Sequence, residues 1–141
     1  MSIRKKKKSK LAQAKARVNS KYWRNKADAE ITHLHTGKPC EVCKSQGRIN
    51  TYLTCGHHVV AKSLCANLRH HKDNIVDLCS EHHLFSNELA AHSSNPLAIQ
   101  AWITWLEIHK IEAYHLLLTY KQFTSVKPNY KEAYEKLKEG S

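Results

Sequence analysis

Residues 40–83 read CEVCKSQGRINTYLTCGHHVVAKSLCANLRHHKDNIVDLCSEHH and contain all five cysteines and six of the eleven histidines of this 141-residue chain. The segment opens with Cys40 and Cys43 and closes with Cys79 and His82, two pairs with two residues between their members. Two ligands at this spacing can reach one face of a tetrahedral ion at about 2.3 Å, and a second pair completes a closed structural site. The spacing therefore predicts one structural zinc ion that ties the start of the segment to its end.

Disulfide bonds are a weaker interpretation of the same cysteines. Their odd number, in a chain expected to stay in a reducing compartment, argues against a disulfide framework. One CxxC motif alone would equally fit a redox site, and Cys79 alone would fit a buried core cysteine. Two pairs that flank a histidine-rich centre favour metal. Cys55 and Cys65 have no partner at ligand spacing and are interpreted as ordinary thiols, although Cys55, two residues before His57, could compete as a ligand.

The length of the chain leaves room for one compact domain and an arm. A hydrophobic content of 41% is low for a large core, so a small fold stabilised by a metal is expected. No apolar run reaches transmembrane length, and the basic start MSIRKKKKSK is not followed by the apolar core of a signal peptide. We therefore expect a cytoplasmic protein without a membrane partner.

Positive charge is concentrated near the N-terminus. The first 30 residues hold eleven Lys and Arg against Asp28 and Glu30, a net charge of +9 out of +11 for the chain. A basic arm on a nearly neutral body attracts a polyanion without regard to sequence. DNA is the expected partner, and the expected contacts in the arm are Lys5, Lys6, Lys7 and Lys8. A solvated tail is the alternative, and an anionic membrane is a weaker one because the arm lacks a bulky apolar face.

Helices are predicted on both sides of the central segment. Residues 11–34 suggest a helix with a break at Asn19-Ser20, and helix is expected again from Leu84. Asn95-Pro96 resembles an N-cap with proline at the first helical position. Further helices are expected over about 111–121 and over 129–140, a stretch that follows Pro128 and ends at Gly140. Apolar side chains at helical spacing are interpreted as core: Trp102, Trp105, Tyr114 and Leu116–Leu118.

In the central segment a short hairpin fits better than a helix, with β-prone stretches at Ile49–Leu53 and His58–Val60. An imidazole can bind a divalent metal, and a second can act as a general base near neutral pH. Neighbouring strand residues point to opposite faces, so His57 and His58 could divide these tasks. A single histidine would be interpreted as structural. Two His-His pairs beside metal-ligand cysteines are not typical of a core and favour a metal-binding or catalytic role.

The order of these residues resembles the zinc-bearing HNH, or ββα-metal, nucleases, whose usual form is CxxC, then [DH]-H-[IV], then N-x4-LCxxCH. This chain has Cys40-x2-Cys43, then Gly56-His57-His58-Val59, then Asn74-Ile-Val-Asp-Leu-Cys79-x2-His82-His83. The match covers roughly a third of the chain. The flanks, around Lys26–Ala29 and Asn95–Trp102, are more weakly similar to small phage HNH proteins related to the NinG/Rap-type recombination nucleases.

The resemblance implies an α+β fold with a small zinc-stapled ββα-metal (HNH) core, flanking α-helices and a basic N-terminal arm. The arm and a helical segment would occupy residues 1–34. The HNH and zinc core would occupy 35–95, and a C-terminal helical segment would occupy 96–141.

The resemblance also implies roles for the site residues. His57 and His83 would bind a catalytic divalent ion, Mg²⁺, Mn²⁺ or another, and His58 would be the general base that deprotonates water. Asn74 would hold the loop between the two strands and so orient His58. The ion would stabilise charge on the phosphate and on the departing 3′ oxygen. Cleavage in this family leaves a 5′-phosphate and a 3′-hydroxyl.

Two departures from the family pattern concern metal ligands. His82 stands where Cys is commoner. The stretch Leu84–Ala91 is longer than in near relatives, so Asn87 or His92 could share or replace the ligand role of His83. Asn87 would lie one helical turn after His83 if a helix continued there.

The basic stretch between the strands would lie near the phosphate backbone in this family. Its cations, Lys62, Arg69 and Lys72, would position DNA rather than read bases, and a solvated loop is the alternative.

The sequence therefore predicts a metal-dependent HNH endonuclease that hydrolyses DNA, in phage recombination or DNA processing, in the host cytoplasm if a phage encodes it. The alternative is a non-catalytic zinc-finger module that binds nucleic acid. A zinc-stapled protein-interaction domain would leave the basic arm unexplained. Weak sequence specificity is expected because no base-reading helix is evident, and two cuts in a duplex would be easier for a homodimer.

Overall fold

The computed structural model describes residues 6–140, which form an α+β fold of helices around one two-stranded sheet. The α-helices are α1 (Lys10–Ala16), α2 (Lys21–His35), α3 (Glu41–Ser45), α4 (Pro96–His109), α5 (Ile111–Thr119) and α6 (Tyr130–Glu139). The strands are β1 (Cys55–His58) and β2 (Ile75–Leu78). Short 3-10 turns occupy Ala66–Leu68, Lys72–Asn74 and Tyr120–Phe123, and a π-helical turn occupies Glu81–Phe85.

The predicted helix boundaries on both flanks are largely confirmed. The break at Asn19-Ser20 separates α1 from α2, and Asn95 caps α4 by accepting a hydrogen bond from the Leu97 backbone N–H (3.0 Å), with Pro96 at the first helical position. Gly140 follows the end of α6. The helix expected from Leu84 is wrong, since the π-helical turn ends at Phe85 and turns continue to Asn95.

The two ends of the chain pack against each other. Helix α2 lies along α6, and the Trp23 and Tyr134 rings contact each other with centroids 6.0 Å apart. The Lys131 backbone N–H donates to the Val18 carbonyl (3.0 Å) at the start of this contact. The N-terminal and C-terminal segments therefore support one another on one side of the sheet region.

The sheet differs from the predicted hairpin. Strand β1 pairs antiparallel with β2 in the register Cys55↔Leu78 to His58↔Ile75, whereas Ile49–Leu53 is not a strand. The Asn50 side chain accepts a hydrogen bond from the Tyr52 backbone N–H (2.9 Å), and Leu53 has a φ of 49°. This turn chemistry overrides the β-propensity of the stretch, and its apolar side chains are left exposed.

The main core lies between α3, the sheet, α4 and α5. Trp102 and Trp105 are buried as predicted, and the Trp105 indole N–H donates to the Ser45 hydroxyl (2.9 Å), which ties α4 to α3. Tyr114 is partly buried against the same core. Leu118 is 64% exposed, so its assignment to the core is wrong. None of the described helices is long and apolar enough to cross a membrane.

Candidate metal centres

The four predicted zinc ligands converge in the centre of the core. Cys40, Cys43, Cys79 and His82, here the cysteine–histidine cluster, are buried, and their ligand atoms all lie within 4.8 Å of one another. His82 Nδ1 lies 3.7 Å from Cys40 Sγ, 3.3 Å from Cys43 Sγ and 3.4 Å from Cys79 Sγ. The Sγ atoms of Cys43 and Cys79 are 3.8 Å apart.

These separations fit a tetrahedral ion. Bonds of about 2.3 Å to sulfur and about 2.0 Å to nitrogen place two sulfurs about 3.8 Å apart and a sulfur and a nitrogen about 3.5 Å apart. The cysteine–histidine cluster thus forms a site that could hold a metal, compatible with structural zinc.

Local backbone structure places the first two ligands. Cys40 is the N-cap of α3, and its sulfur accepts from the Cys43 backbone N–H (3.5 Å). The chain then turns back, because the Arg48 N–H donates to the Cys43 carbonyl (2.9 Å) while Gly47 adopts a φ of 77°. The Asn50 amide donates to Cys43 Sγ (3.8 Å), so the turn encloses the sulfurs.

The thiols cannot all be charged without a cation. Burial raises the pKa of the Cys43 thiol to about 12, and the charge of Cys40 contributes to the same shift. Burial opposes ionisation of Cys40 too, but hydrogen bonds from His82 and from the backbone of Cys43 and Cys79 lower the pKa of Cys40 to about 6. A divalent cation would remove this conflict, since it binds thiolates.

Glu41 joins the cysteine–histidine cluster to the sheet. One carboxylate oxygen accepts from the Asp77 backbone N–H (2.7 Å) in β2, and the other accepts from the Lys110 ammonium (2.9 Å) at the end of α4. Asp77 in turn accepts from His35 (2.6 Å) at the end of α2. Helix ends and strand are therefore linked around the cluster by charged hydrogen bonds.

A second group of ligand atoms is formed by three histidines. His57, His83 and His92, here the three-histidine cluster, have ligand atoms within 4.8 Å of one another. Their ring centroids are 4.8–5.2 Å apart, and the His57 ring also packs edge-on against Trp102 at 5.5 Å. His57 is 6% exposed, His83 is half-buried and His92 is exposed, so the cluster opens to solvent on one side.

Backbone pairing brings His92 to the other two. The N–H of Ala91 donates to the His82 carbonyl (3.0 Å), and the N–H of His92 donates to the His83 carbonyl (2.9 Å). The stretch after the π-helical turn therefore runs back along it. The predicted placement of Asn87 one helical turn after His83 is wrong, because the π-helical turn ends at Phe85. The Asn87 carbonyl instead accepts from the Asn95 side chain (3.1 Å).

The environment of His57 favours the neutral imidazole. Burial is the main cause that lowers the pKa of His57 to about 3, and the nearby His92, His83 and His58 act in the same direction. The pKa of His83 is also lowered, by burial and then by His92. Metals bind the neutral ring, so this environment is compatible with a ligand role. Cys55 belongs to neither cluster, although its Sγ lies 3.7 Å from His83 Nδ1.

His58 makes contacts on the other side of β1. Its Nε2–H donates to the Arg69 carbonyl (2.8 Å), and its side chain lines a cleft of about 150 Å³ beside Lys62. A neutral imidazole has one donor and one acceptor nitrogen, so this bond leaves Nδ1 as the acceptor. Burial lowers the pKa of His58, although the bond to Arg69 opposes the shift.

Asn74 fixes the loop that connects the two strands (residues 59–74). Its side chain is fully buried; Oδ1 accepts from the Val60 N–H (2.7 Å), and Nδ2 donates to the carbonyls of Val60 (3.0 Å) and Leu68 (3.1 Å). The start and the middle of the connecting loop are thus bound to a side chain at its end, and the Leu68 carbonyl bound there precedes the carbonyl that His58 contacts.

The cations predicted to contact DNA lie in different settings. Lys6, Lys7, Lys8, Lys62 and Lys72 are exposed, and Lys5 lies outside the described residues. Arg69 is instead bound to Asp28, with Nε 2.8 Å and Nη2 2.6 Å from the carboxylate oxygens.

Asp28 is a candidate functional residue that the sequence motifs do not indicate. It accepts from both Arg69 and His70 in the connecting loop. Its signals in the sequence are its place in the weakly similar Lys26–Ala29 flank and its position as the first acidic residue, after the eleven cations of residues 1–27.

Comparison with protein-family models, with curated proteins and with solved structures gives no match for this chain.

Proposed function

We propose that this protein is a metal-dependent HNH-type endonuclease that hydrolyses phosphodiester bonds of DNA. The observation that carries the proposal is that two consecutive residues of β1 have the two kinds of environment: His57 belongs to the three-histidine cluster on one face, and His58, on the other face, has its Nε2–H bound to a backbone carbonyl. A metal-binding group and an oriented base at adjacent positions are the parts that metal-assisted hydrolysis needs.

Zinc is the proposed ion of the cysteine–histidine cluster, with a structural role. Its four protein ligands are buried and leave no position for a substrate, which is typical of structural rather than catalytic zinc. The ion would join α3 to the end of β2 and so fix the sheet on which His57 and His58 lie.

The three-histidine cluster is the proposed site of the catalytic ion. Three imidazoles suit a nitrogen-preferring transition metal, whereas Mg²⁺ favours carboxylate, carbonyl and water oxygens. Zn²⁺, or a similar ion such as Ni²⁺, is therefore a better candidate than the Mg²⁺ or Mn²⁺ expected from the sequence. Such an ion would polarise the phosphate and stabilise charge on the departing 3′ oxygen.

His58 is the proposed general base. With Nε2 engaged by Arg69, Nδ1 can accept the proton of a water molecule that attacks phosphorus. The lowered pKa of His58, which results from burial despite the bond to Arg69, keeps the ring neutral and able to accept that proton at pH 7. Asn74 would be a positioning residue, because it fastens the loop whose carbonyl orients His58.

The basic arm supplies an attraction for DNA that does not depend on sequence. The exposed lysines of the arm, with Lys62 beside the His58 cleft, would contact phosphates. The arm would contribute to affinity, whereas the histidines would carry out the chemistry.

Plasmid cleavage tests the proposal. Supercoiled plasmid and branched duplexes are incubated with the zinc-loaded protein and Mn²⁺, Ni²⁺, Zn²⁺ or Mg²⁺ in turn, beside His58→Ala and the matched variant His33→Ala. His33 is an exposed residue of α2. We expect nicking that falls about 10²–10⁴-fold in His58→Ala and is unchanged in His33→Ala.

The alternative function predicts a different outcome. If the wild type and His58→Ala leave every substrate intact with every metal, while both bind DNA, the protein is a non-catalytic zinc-finger module. Equal cleavage by both proteins would point to a contaminating nuclease and would also count against the proposal.

A further inference from the structure

One carboxylate on α2 binds two successive residues of the connecting loop. Asp28 Oδ1 accepts from Arg69 Nε (2.8 Å) and from His70 Nε2 (2.6 Å), and Oδ2 accepts from Arg69 Nη2 (2.6 Å). Arg69 and His70 are 41 and 42 residues away in the chain. This is a tertiary contact between the N-terminal helix α2 and the strand connection.

The peptide group between these two residues is the one that contacts His58. Its carbonyl, that of Arg69, accepts from His58 Nε2 (2.8 Å). The side chains on both sides of the peptide group are thus fastened to the same carboxylate. The preceding carbonyl, that of Leu68, is fastened separately by Asn74 (3.1 Å).

The surroundings of this contact are closely packed. The His70 side chain is 3% exposed and packs edge-on against the Tyr130 ring of α6, with centroids 5.5 Å apart. Asp28 and His58 line the same cleft, with Thr32, Thr36 and Lys62. Because α6 packs on α2, the carboxylate, the loop and the base are held in one packed unit.

We propose that Asp28 is a positioning residue for His58, acting through the Arg69–His70 peptide group. The inference rests on the proposed function, in which His58 is the general base. Within the part of the chain that the structure describes, Asp28 does not contact the three-histidine cluster. Its effect on catalysis therefore passes through the Arg69 carbonyl, which selects the Nε2–H form of His58.

The geometry requires a carboxylate at position 28. Three donors converge on two acceptor oxygens, whereas an asparagine has one acceptor oxygen and an NH2 group that would face donors of Arg69. Burial raises the pKa of Asp28, but the hydrogen bonds and charges of Arg69 and His70 outweigh it and lower that pKa to about 2. The carboxylate is therefore ionised near neutral pH.

The test compares Asp28→Asn with Asp73→Asn in the full-length, zinc-loaded protein. Asp73 is a matched control, an aspartate of the same loop that lies 3.9 Å from His71 and makes no described contact with His58. The ring nitrogens of 15N-histidine-labelled protein distinguish the two neutral tautomers of His58, and plasmid nicking gives kcat and KM. We expect Asp28→Asn to lose the single Nε2–H signature and to lower kcat about 10–100-fold, less than removal of the base itself, with KM changed less than about twofold.

A second variant guards against misfolding. Arg69→Lys keeps a positive charge but cannot bind the carboxylate through two nitrogens, and the His70 bond to Asp28 stays in place. We expect an intermediate loss of kcat and a mixture of His58 tautomers. If Asp28→Asn is folded and keeps both the wild-type tautomer and kcat, or if Asp73→Asn has equal effects, the proposal is overturned.

The spectroscopic measurement separates this inference from the proposed function. Absence of cleavage by the wild type would contradict the nuclease, yet the tautomer of His58 would still decide whether Asp28 positions it. Conversely, an unchanged tautomer in Asp28→Asn with lost cleavage would reject the positioning role and leave the nuclease standing.

Discussion

The backbone N–H of His92 donates to the carbonyl of His83 (2.9 Å), and the two rings lie 5.1 Å apart. This pairing turns a residue nine positions further along the chain into the third member of the three-histidine cluster. It also fixes the direction in which the cluster opens, because His92 is the exposed member.

The His92→Ala variant should lose the second metal and keep the first. Removal of a residue that only hydrogen-bonds to a metal ligand already lowers metal affinity about 10–100-fold, so loss of a direct ligand should lower it at least about 100-fold. Isothermal titration calorimetry measures the change: protein that carries one zinc, in the cysteine–histidine cluster, is titrated with Zn²⁺ or Ni²⁺. The exposed His115 on α5 provides the control, His115→Ala, and an unchanged affinity in His92→Ala would remove His92 from the site.

The Cys40→Ala variant should lose its zinc together with its fold. Zinc binding in small metal-dependent domains is worth about 10–16 kcal/mol and is coupled to folding, and the cysteine–histidine cluster lies in the middle of the main core. Metal analysis should give about one tightly held zinc per wild-type chain and none in the variant, with a loss of cooperative thermal unfolding. Cys65→Ala is the control, since Cys65 is buried outside the cluster. A full equivalent of tightly bound zinc in Cys40→Ala would contradict the assignment.

The Gly56→Ala substitution should destabilise the contact between β1 and α2. A Cβ at position 56 would lie 2.9 Å from Ile75 Cγ2 and 3.0 Å from His35 Cβ. Overpacking of this kind costs about 1–3 kcal/mol. Urea unfolding at fixed free zinc measures the loss. Gly140→Ala is the control: a Cβ at position 140 would come no closer than 3.5 Å to the Lys136 carbonyl oxygen, so the free energy of unfolding should change by less than about 0.5 kcal/mol. Equal stabilities of the two variants would show that the close approach at Gly56 is relieved elsewhere.

The Asn74→Ala substitution should lower the free energy of unfolding by about 2–4 kcal/mol, because it leaves buried partners of three hydrogen bonds unsatisfied. The same unfolding measurement tests it, with the partly exposed Asn67 of the same loop replaced by Ala as the control. Hydrogen exchange should also speed up at Val60, whose N–H donates to the Asn74 side chain. A loss below about 1 kcal/mol would mean that the loop does not depend on this residue.

Replacement of Lys6, Lys7 and Lys8 by Gln should lower the affinity for DNA and reduce the salt dependence of that affinity. Loss of three phosphate contacts reduces the slope of log affinity against log salt by about 2.7. Fluorescence anisotropy of a labelled duplex over a range of salt measures the slope. A triple Gln variant at Lys38, Lys121 and Lys127 removes the same charge from exposed positions outside the arm. Equal slopes for the two variants would argue that net charge, and not the arm, binds DNA.

Ligand spacing and helix signals were readable from the sequence. Cys40 and Cys43, or Cys79 and His82, are close in any tight turn, so their convergence is a local property completed by a single tertiary contact. The break before α2 and the Asn95-Pro96 cap depend on backbone groups within a few residues. The basic arm is likewise a matter of composition.

Other features depended on packing. The β-prone stretch Ile49–Leu53 is a turn because Asn50 binds the Tyr52 backbone and the Cys40 N–H donates to the Asn50 carbonyl (2.8 Å), so the hydrogen bonds that close this turn outweigh strand propensity. His92 lies beside His57 and His83 because the chain reverses after a π-helical turn, which no periodicity indicates.

The difference between local features and features that depend on packing is clearest at the two faces of β1. His57 and His58 are adjacent in a β-prone stretch, and side-chain alternation along a strand predicts that they face opposite ways. The groups that each side chain meets depend on long-range packing: Trp102 and the other two rings of the three-histidine cluster for His57, and the Arg69 carbonyl for His58. These two effects differ in range, since backbone geometry fixes neighbours along the chain, whereas Asp28 reaches Arg69 across 41 residues through the packing of α2.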